Sequence, residues 1–347
     1  MTLLVLSGRD VRGLLSYAEC ADVMREALAG LARGEIQQPL RTVVRPPGAS
    51  GFMGLMPSYA EQAGYGLKAI CITPGNPALG LDTHQGGVLL SGSQTGEPLA
   101  LVNASAITEI RTAAVSAVAT DLLARPGATE VAIIGLGVQA IAHARALAAT
   151  RKLTGIRMVG RGRRPRQIEH RDRRSRQTQQ GDLDRTHETT KGLAAELGVP
   201  FTILTSVSAA LDGAGIVVTA TTSREPVLRR EWLSPGTHIN AVGACLPADR
   251  EIDTATMADA AIIADSRESL HNEAGDFLLA QRELGEGTVL EARGELGELI
   301  TGTARGRRDD SEITLFESLG LAAEDLMAAR FVYEKAKRTG AGTRADF

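Results

Sequence analysis

Three cations stand in segments whose other residues are built for burial. Arg41 opens the strand-like run RTVV, Lys68 lies within Tyr65-Gly66-Leu67-Lys68-Ala69-Ile70, and Arg111 falls among Ile110, Thr112, Ala113 and Ala114. Taken singly, each reads as a surface charge, and a lysine in a strand is a common marker of an exposed edge. Gathered around one small ligand they form an anion pocket, in which the guanidinium pair Arg41 and Arg111 grips a carboxylate and neighbouring cations lower the lysine pKa. Lys68 then becomes a proton donor or acceptor, the catalytic candidate. His84, in the segment THQGG, either lines that pocket as a general acid or satisfies local backbone groups. Cys245 has no His or acid tied to it by any motif, and His238 belongs to the preceding strand. Cys245 is therefore expected to be a small packing residue, not a nucleophile.

A second chemistry is written in Gly135-Leu136-Gly137-Val138-Gln139-Ala140, which matches G-x-G-x-x-G/A between a strand and a helix. Gly135 permits a tight turn, Gly137 lets the backbone approach a pyrophosphate, and Ala140 keeps helix and strand close. The helix N-terminus, opening at Val138 and Gln139, offers free N–H groups and a positive dipole end to phosphates. The end of the next strand reads Val159-Gly160-Arg161, with no Asp or Glu for the ribose hydroxyls. A guanidinium at Arg161 suits a 2′-phosphate, so NADP(H) is favoured and NAD(H) is possible.

These residues need a scaffold, and the chain supplies two kinds of text for it. Residues 17–33 carry apolar residues at helical spacing and stop at Gly34, while from Thr42 to about Val102 short β-rich pieces are punctuated by Gly and Pro. Residues 107–124 read as one small, Ala-rich helix bridging two domains and ended by Pro126-Gly127. Thereafter apolar strands at 129–135, 156–160, 200–204, 215–220, 237–243 and 260–265 alternate with helical text, the pattern of a parallel sheet covered on both faces. The fold class is thus α/β: a Rossmann-type dinucleotide-binding domain over 119–304, plus a discontinuous α+β substrate and dimerisation domain from 1–118 and 305–347. The terminal helix is expected to pack back on the N-terminal domain. Residues 162–187 carry eight Arg and almost no apolar residue, and read as a solvated insertion.

Composition narrows the partners. Hydrophobic residues are 43% and charged residues 23% of the 347, which excludes a disordered or fibrous chain. Aromatics are only 3% and the net charge is -3, so neither base stacking nor a basic field points to nucleic acid. The three widely spaced cysteines fit neither a disulfide framework nor a zinc knuckle, and no metal is expected. The apolar start MTLLVL is too short for a signal peptide, and no later run is long enough to span a bilayer. A cytoplasmic protein without membrane contact is the expectation.

The segments GFMGLMPSY, YGLKAICI, ITEIRTAAVSAVAT, GLGVQA, EWLSPGTHINAVGA, ELGELITG and TLFESLGLAAEDL, in order over nearly the whole chain, resemble the ornithine cyclodeaminase/mu-crystallin family. The resemblance implies that Arg41, Lys68 and Arg111 occupy the substrate-carboxylate and catalytic positions. It also implies that Thr83, Arg111, Gln139, Thr221, the strand end Ile239 to Val242 with Asn240, and Ser318 line the cofactor, and that the protein is a homodimer. Two departures matter. Where the cyclodeaminase branch is expected to carry Asp, the text is Gly243-Ala244-Cys245, and where it carries Glu before Leu-Met-Pro, this chain has Gly54. Both make the chain more similar to the mu-crystallin branch, with its resemblance to NADPH-using ketimine reductases. The expected activity is reduction of small 2-imino acids, such as 1-pyrroline-2-carboxylate, with Lys68 managing the imine proton. Its rivals are an ammonia-releasing ornithine cyclodeaminase and a non-catalytic NADPH-dependent binding protein.

Overall fold

The computed structural model describes residues 2–160, 191–285 and 287–347. Arg161 and the Arg-rich stretch lie outside the described residues.

The N-terminal text folds into a mixed sheet. Its strands are β1 (Thr2–Leu6), β2 (Ile36–Gln37), β3 (Thr42–Val44), β4 (Phe52–Ala60), β5 (Gly64–Ile72), β6 (His84–Ser91) and β7 (Pro98–Asn103), closed by the last strand of the chain, β18 (Thr343–Asp346). They run in the order β18-β1-β7-β6-β5-β4-β2, with β3 also on β4, and only the β1–β7 pair is parallel. Period-two alternation decides what each face shows. In β4, Gly54, Met56, Ser58 and Ala60 point inward, and in register with them β5 sends in Gly66, Lys68 and Ile70. Lys68 pairs with Met56 on one side and Val88 on the other, so its strand is interior, contrary to the edge-strand reading of a lone lysine.

Helices cover that inner face. After α1 (Gly8–Leu14), α2 (Tyr17–Ala32) begins at a Ser16–Glu19 capping box and buries Cys20, Met24 and Leu28. The bridging helix α3 (Ala104–Leu123) starts three residues earlier than its sequence suggested, because the Asn103 side chain caps it by accepting from the Ala106 N–H at 2.9 Å. Wedged between the two halves of the molecule, α3 is buried nearly all round, which explains its run of Ala, Val and Ile without a polar face.

The second sheet is wholly parallel. β8 (Glu130–Ile134), α4 (Val138–Thr150), β9 (Gly155–Val159), β10 (Phe201–Leu204), α5 (Val207–Leu211), β11 (Ile216–Thr219), β12 (Arg224–Leu228) and β13 (His238–Ala241) follow in chain order. β14 (Arg250–Ile252), α6 (Thr254–Asp259), β15 (Ala261–Ala264), α7 (Arg267–Glu273), α8 (Gly275–Leu284), β16 (Gly294–Glu295), α9 (Leu296–Thr301), β17 (Thr314–Glu317) and α10 (Ala322–Thr339) complete it and lead back to the first sheet. β12 and β14 form a separate two-stranded ribbon; the remaining strands run β10-β9-β8-β11-β13-β17-β15-β16. Strand order reverses between β8 and β11, the crevice where an open α/β sheet binds its ligand. β17 hydrogen-bonds between β13 and β15, so residues 314–317 lie in the second sheet, beyond residue 304 where the sequence reading ended that domain. Helix α10 does pack on the first sheet, as expected.

Candidate functional site

The cations of the first sheet meet the strand-end loops of the second. Lys68 Nζ lies 2.6 Å from Asp325 Oδ2, Arg111 Nε donates to Asp325 Oδ1 at 3.1 Å, and Arg111 Nη1 donates to Glu324 Oε2 at 2.8 Å. Lys68 and Arg111 are only 3% and 5% exposed, so strand β5 and helix α3 hold two cations out of water on one carboxylate of α10. Arg41 enters from the opposite wall. Its Nε contacts both oxygens of Glu273 at 3.0 Å, and its Nη2 donates to the carbonyls of Leu319 and Gly320 at 2.7 and 3.1 Å. The loop after β17 is the hub: the Leu319 and Gly320 N–H groups donate to Asp265 Oδ2 at 2.7 and 2.6 Å. At Gly320 (φ +81°), a Cβ would sit 2.7 Å from the Arg111 guanidinium, so only glycine lets the arginine lie flat there.

Burial and charge then set the proton affinities. Desolvation pushes Lys68 down to about 8; Asp325 pulls the other way, while Arg111 and Arg41 add to the fall. For Arg111, burial works against the charge, but Asp325 and Glu324 outweigh it and the guanidinium stays ionised. Burial pushes Glu324 up to about 7 against the pull of Arg111, and pushes Asp265 up to about 6 against its backbone donors. His84 is lowered by burial first and then by Lys68 and Arg111, so it lies within electrostatic reach of both cations. A narrow crevice of about 10 Å³ opens beside Arg41, lined also by Met56, Glu273 and Gly320. A roomier groove, about 590 Å³, lies elsewhere, against Pro57, Tyr59, Tyr65, Leu67 and Leu89 on the first sheet, and contains none of these cations.

The glycine turn has the form a dinucleotide needs. Gly135 has φ +138°, and a Cβ there would strike the Ala220 carbonyl at 2.4 Å, with Ala140 Cβ at 3.5 Å. Gly137 is the N-cap of α4, makes no side-chain cap, and faces open space, leaving the N-terminal N–H groups to a ligand. Val138 beside it is 62% exposed. Gln139 reaches across to α3, its Nε2 donating to the Thr108 carbonyl at 3.2 Å while its Oε1 is buried without a partner. Ser318 Oγ is likewise buried and unpartnered, beside a backbone whose N–H pairs with Ala241. Thr83 is half-buried just before β6, its carbonyl accepting from the Thr73 N–H. Thr221 and Val242 follow the ends of the neighbouring strands β11 and β13. Asn240 points the other way: its Nδ2 donates to Thr120 Oγ1 at 2.9 Å, tying α3 to the second sheet. These turns, orphaned polar atoms and strand ends fit a nicotinamide dinucleotide.

Sequence reasoning missed the acids. Glu324-Asp325 in the first turn of a helix looks like ordinary dipole compensation, so nothing local marks it as the partner of Lys68 and Arg111. A second set is equally silent in sequence. Glu251 Oε1 and Oε2 accept from the N–H groups of Thr221 and Gly243, each at 2.6 Å, clamping the loops after β11 and β13 together. Asp276 Oδ1 in turn holds the Glu251 and Ile252 N–H groups at 2.7 and 2.8 Å, and Glu317 lies beside them, fully buried. Cys245 is a free thiol whose pKa burial raises, in keeping with a packing role. His238 is fully buried against Thr314 and pushed down to about 3 by desolvation, so it is structural. Among the described residues no group of three or more His, Cys, Asp or Glu is placed to hold a metal ion, and no helix is long and apolar enough to cross a membrane.

A dinucleotide turn at the switch point of a parallel sheet, with a buried cation pair on a second sheet, defines an α/β protein of the nicotinamide-dependent kind. The ornithine cyclodeaminase/mu-crystallin family model matches residues 1–340, and the chain belongs to that family. It is 36% identical to the mouse (Mus musculus) ketimine reductase mu-crystallin, over 95% of this chain and 96% of that protein. Among solved structures, the Delta(1)-pyrroline-2-carboxylate reductase of Thermococcus litoralis, in complex with NADH and L-proline, superposes with a TM-score of 0.88 at 33% identity, over 98% of this chain and 99% of the other. An archaeal alanine dehydrogenase dimer with bound NAD gives 0.87 at 28% identity over the full length of both.

Proposed function

We propose that the protein is an NAD(P)H-dependent reductase of small cyclic 2-imino acids, with 1-pyrroline-2-carboxylate as the model substrate. The observation that carries this reading is the buried convergence of Lys68 and Arg111 on Asp325, facing the strand ends of the dinucleotide sheet. The Gly135–Gln139 turn, Thr221, Val242 and Ser318 would hold the reduced nicotinamide dinucleotide, which when bound would supply the hydride for the carbon of the C=N bond. Arg111 and Arg41 orient the carboxylate, fixing the imine carbon toward the strand ends. Lys68 Nζ gives its proton to the imine nitrogen as the C=N bond becomes C–N, and Asp325 keeps the lysine aimed. Gly54 faces inward two residues from Met56, the partner of Lys68, so no carboxylate projects there for the amine chemistry of a cyclodeaminase. Arg161 argues for NADPH, while the NADH in the Thermococcus litoralis complex makes NADH the necessary second arm of the assay.

The test is oxidation of NADPH or NADH at 340 nm on adding 1-pyrroline-2-carboxylate, run beside ornithine-dependent ammonia release. Turnover in the first with none in the second is expected; the opposite result makes the protein a lyase. We also propose a homodimer joined through the exposed face of the first sheet, and a reducing, cytoplasmic setting, which suits the three free cysteines.

A further inference from the structure

The substrate end carries more negative than positive groups. Arg41, Lys68 and Arg111 face four carboxyls, Glu273, Asp265, Glu324 and Asp325, so with every group ionised one negative charge is in excess before any ligand arrives. A substrate carboxylate adds another among side chains that are themselves almost wholly buried. Uncompensated charge in such a place is removed by protonation.

The hydrogen bonds single out which carboxyl can take the proton. Glu273 gives both oxygens to Arg41 and is 13% exposed at its side chain. Asp265 is filled by the N–H groups of Ser266, Leu319 and Gly320, and Asp325 spans Lys68 and Arg111. Glu324 commits only Oε2, to Arg111 Nη1 and the Leu321 N–H, and leaves Oε1 fully buried without a partner. The groups facing it are Arg111 from α3, Cys20 from α2, its neighbour Asp325, and Asp265 after β15; Lys68 from β5 reaches it through Asp325. Arg111 is the one cation in contact with it among the described residues.

We infer that Glu324 is a positioning residue that takes a proton from solvent onto Oε1 when the substrate carboxylate binds, releasing Arg111 Nη1 from its ion pair with Glu324 to serve the ligand while Asp325 keeps Nε in place. No bond of the ligand changes in this step. The upward displacement of Glu324 to about 7 by burial agrees with it. The inference rests on the imino-acid reading of the site.

The experiment is calorimetric titration of the full chain, saturated with NADPH, with pyrrole-2-carboxylate, a planar carboxylate without a reducible C=N bond. Titrations at pH 7 in two buffers of different ionisation enthalpy give the protons taken up per site. At that pH Lys68 is already charged, and about half a proton is expected from a group titrating near 7. Glu324→Gln is expected to bind the analogue with no uptake. Should that variant fail to fold, wild-type uptake must shrink toward zero at pH 6, where Glu324 already holds its proton. No uptake at pH 7, equal uptake in E324Q, uptake that grows at pH 6 (the sign of Asp265 or His84), or an analogue that does not bind would each overturn the inference. Turnover of 1-pyrroline-2-carboxylate is measured separately: turnover without uptake sinks this inference alone, and uptake without turnover sinks the reductase reading alone.

Discussion

Lys68 shows how a strand can make an acid. Burial lowers its proton affinity, Asp325 restores part of it, and the result near 8 leaves the side chain protonated at pH 7 yet ready to donate. Lys68→Met removes the donor while Asp325 keeps Arg111, so the variant is expected to fold, bind dinucleotide as before, and lose about 100-fold or more in kcat/KM for the imine. Loss of less than about tenfold would show that solvent, not Lys68, protonates the imine. The pH profile follows in sign. Reduction needs the charged lysine, so its rate falls as pH rises through about 8, whereas amine oxidation needs the neutral lysine and rises over the same interval. Stopped-flow rates in both directions check this, and the limb near 8 must vanish in K68M. The two cations were legible in the sequence because a charge amid Ile, Leu and Ala is chemically conspicuous. Glu324 and Asp325 were not, because acids in a first helical turn are the default and only the tertiary fold shows which cations they meet.

Elements were legible wherever periodicity carried them, as in β4 and β5, whose alternation places Met56 against Lys68. What failed was the order of insertion. TLFE is as apolar as any other strand of the second sheet, and nothing local says that it slots between β13 and β15. The same blindness hid the carboxyl cluster joining three elements: Glu251 on β14, Asp276 on α8 and Glu317 at the end of β17. All three are fully buried. Desolvation raises each of them; the nearby carboxylates raise Glu317 further, well above the ordinary range, and Asp276 reaches about 7. The sign follows from linkage. A carboxyl raised in the folded state binds more protons there than in the unfolded chain, so stability is greatest below the ordinary carboxyl pKa and falls as pH rises toward the folded value. Glu317→Gln removes one of these protonation sites without adding charge, and is expected to raise Tm at pH 8 while changing it less at pH 5. Scanning calorimetry at the two pH values decides it: a Tm lowered equally at both means that Glu317 packs and nothing more.

At the scale of the whole molecule, the described residues cover the first sheet on one face only. Its inner side chains meet α2, α3 and α10, while the outer ones make an apolar row across four strands, Pro57-Leu67-Leu89-Leu101, in direct register. Tyr59 and Tyr65 pack beside that row with tilted rings 4.6 Å apart, and Met53, Tyr65 and Leu101 are 39%, 50% and 40% exposed. A contiguous apolar patch of this kind on an interior stretch of sheet is the usual mark of a protein interface, and a twofold contact needs only one such face. The proposed dimer would bury on the order of 800 Å² from each protomer, and Leu89 would lie near its centre. Leu89→Glu places an unpaired charge there at a cost of several kcal/mol on association, while in the monomer the same side chain reaches water. Light scattering on the eluting protein is expected to give twice the 36.5 kDa chain mass for the wild type and the single mass for L89E. Dinucleotide binding should survive in the variant, since the glycine turn belongs to the other sheet. A wild type that elutes as a monomer at micromolar concentration, or an L89E that remains a dimer, would leave the exposed row to another partner.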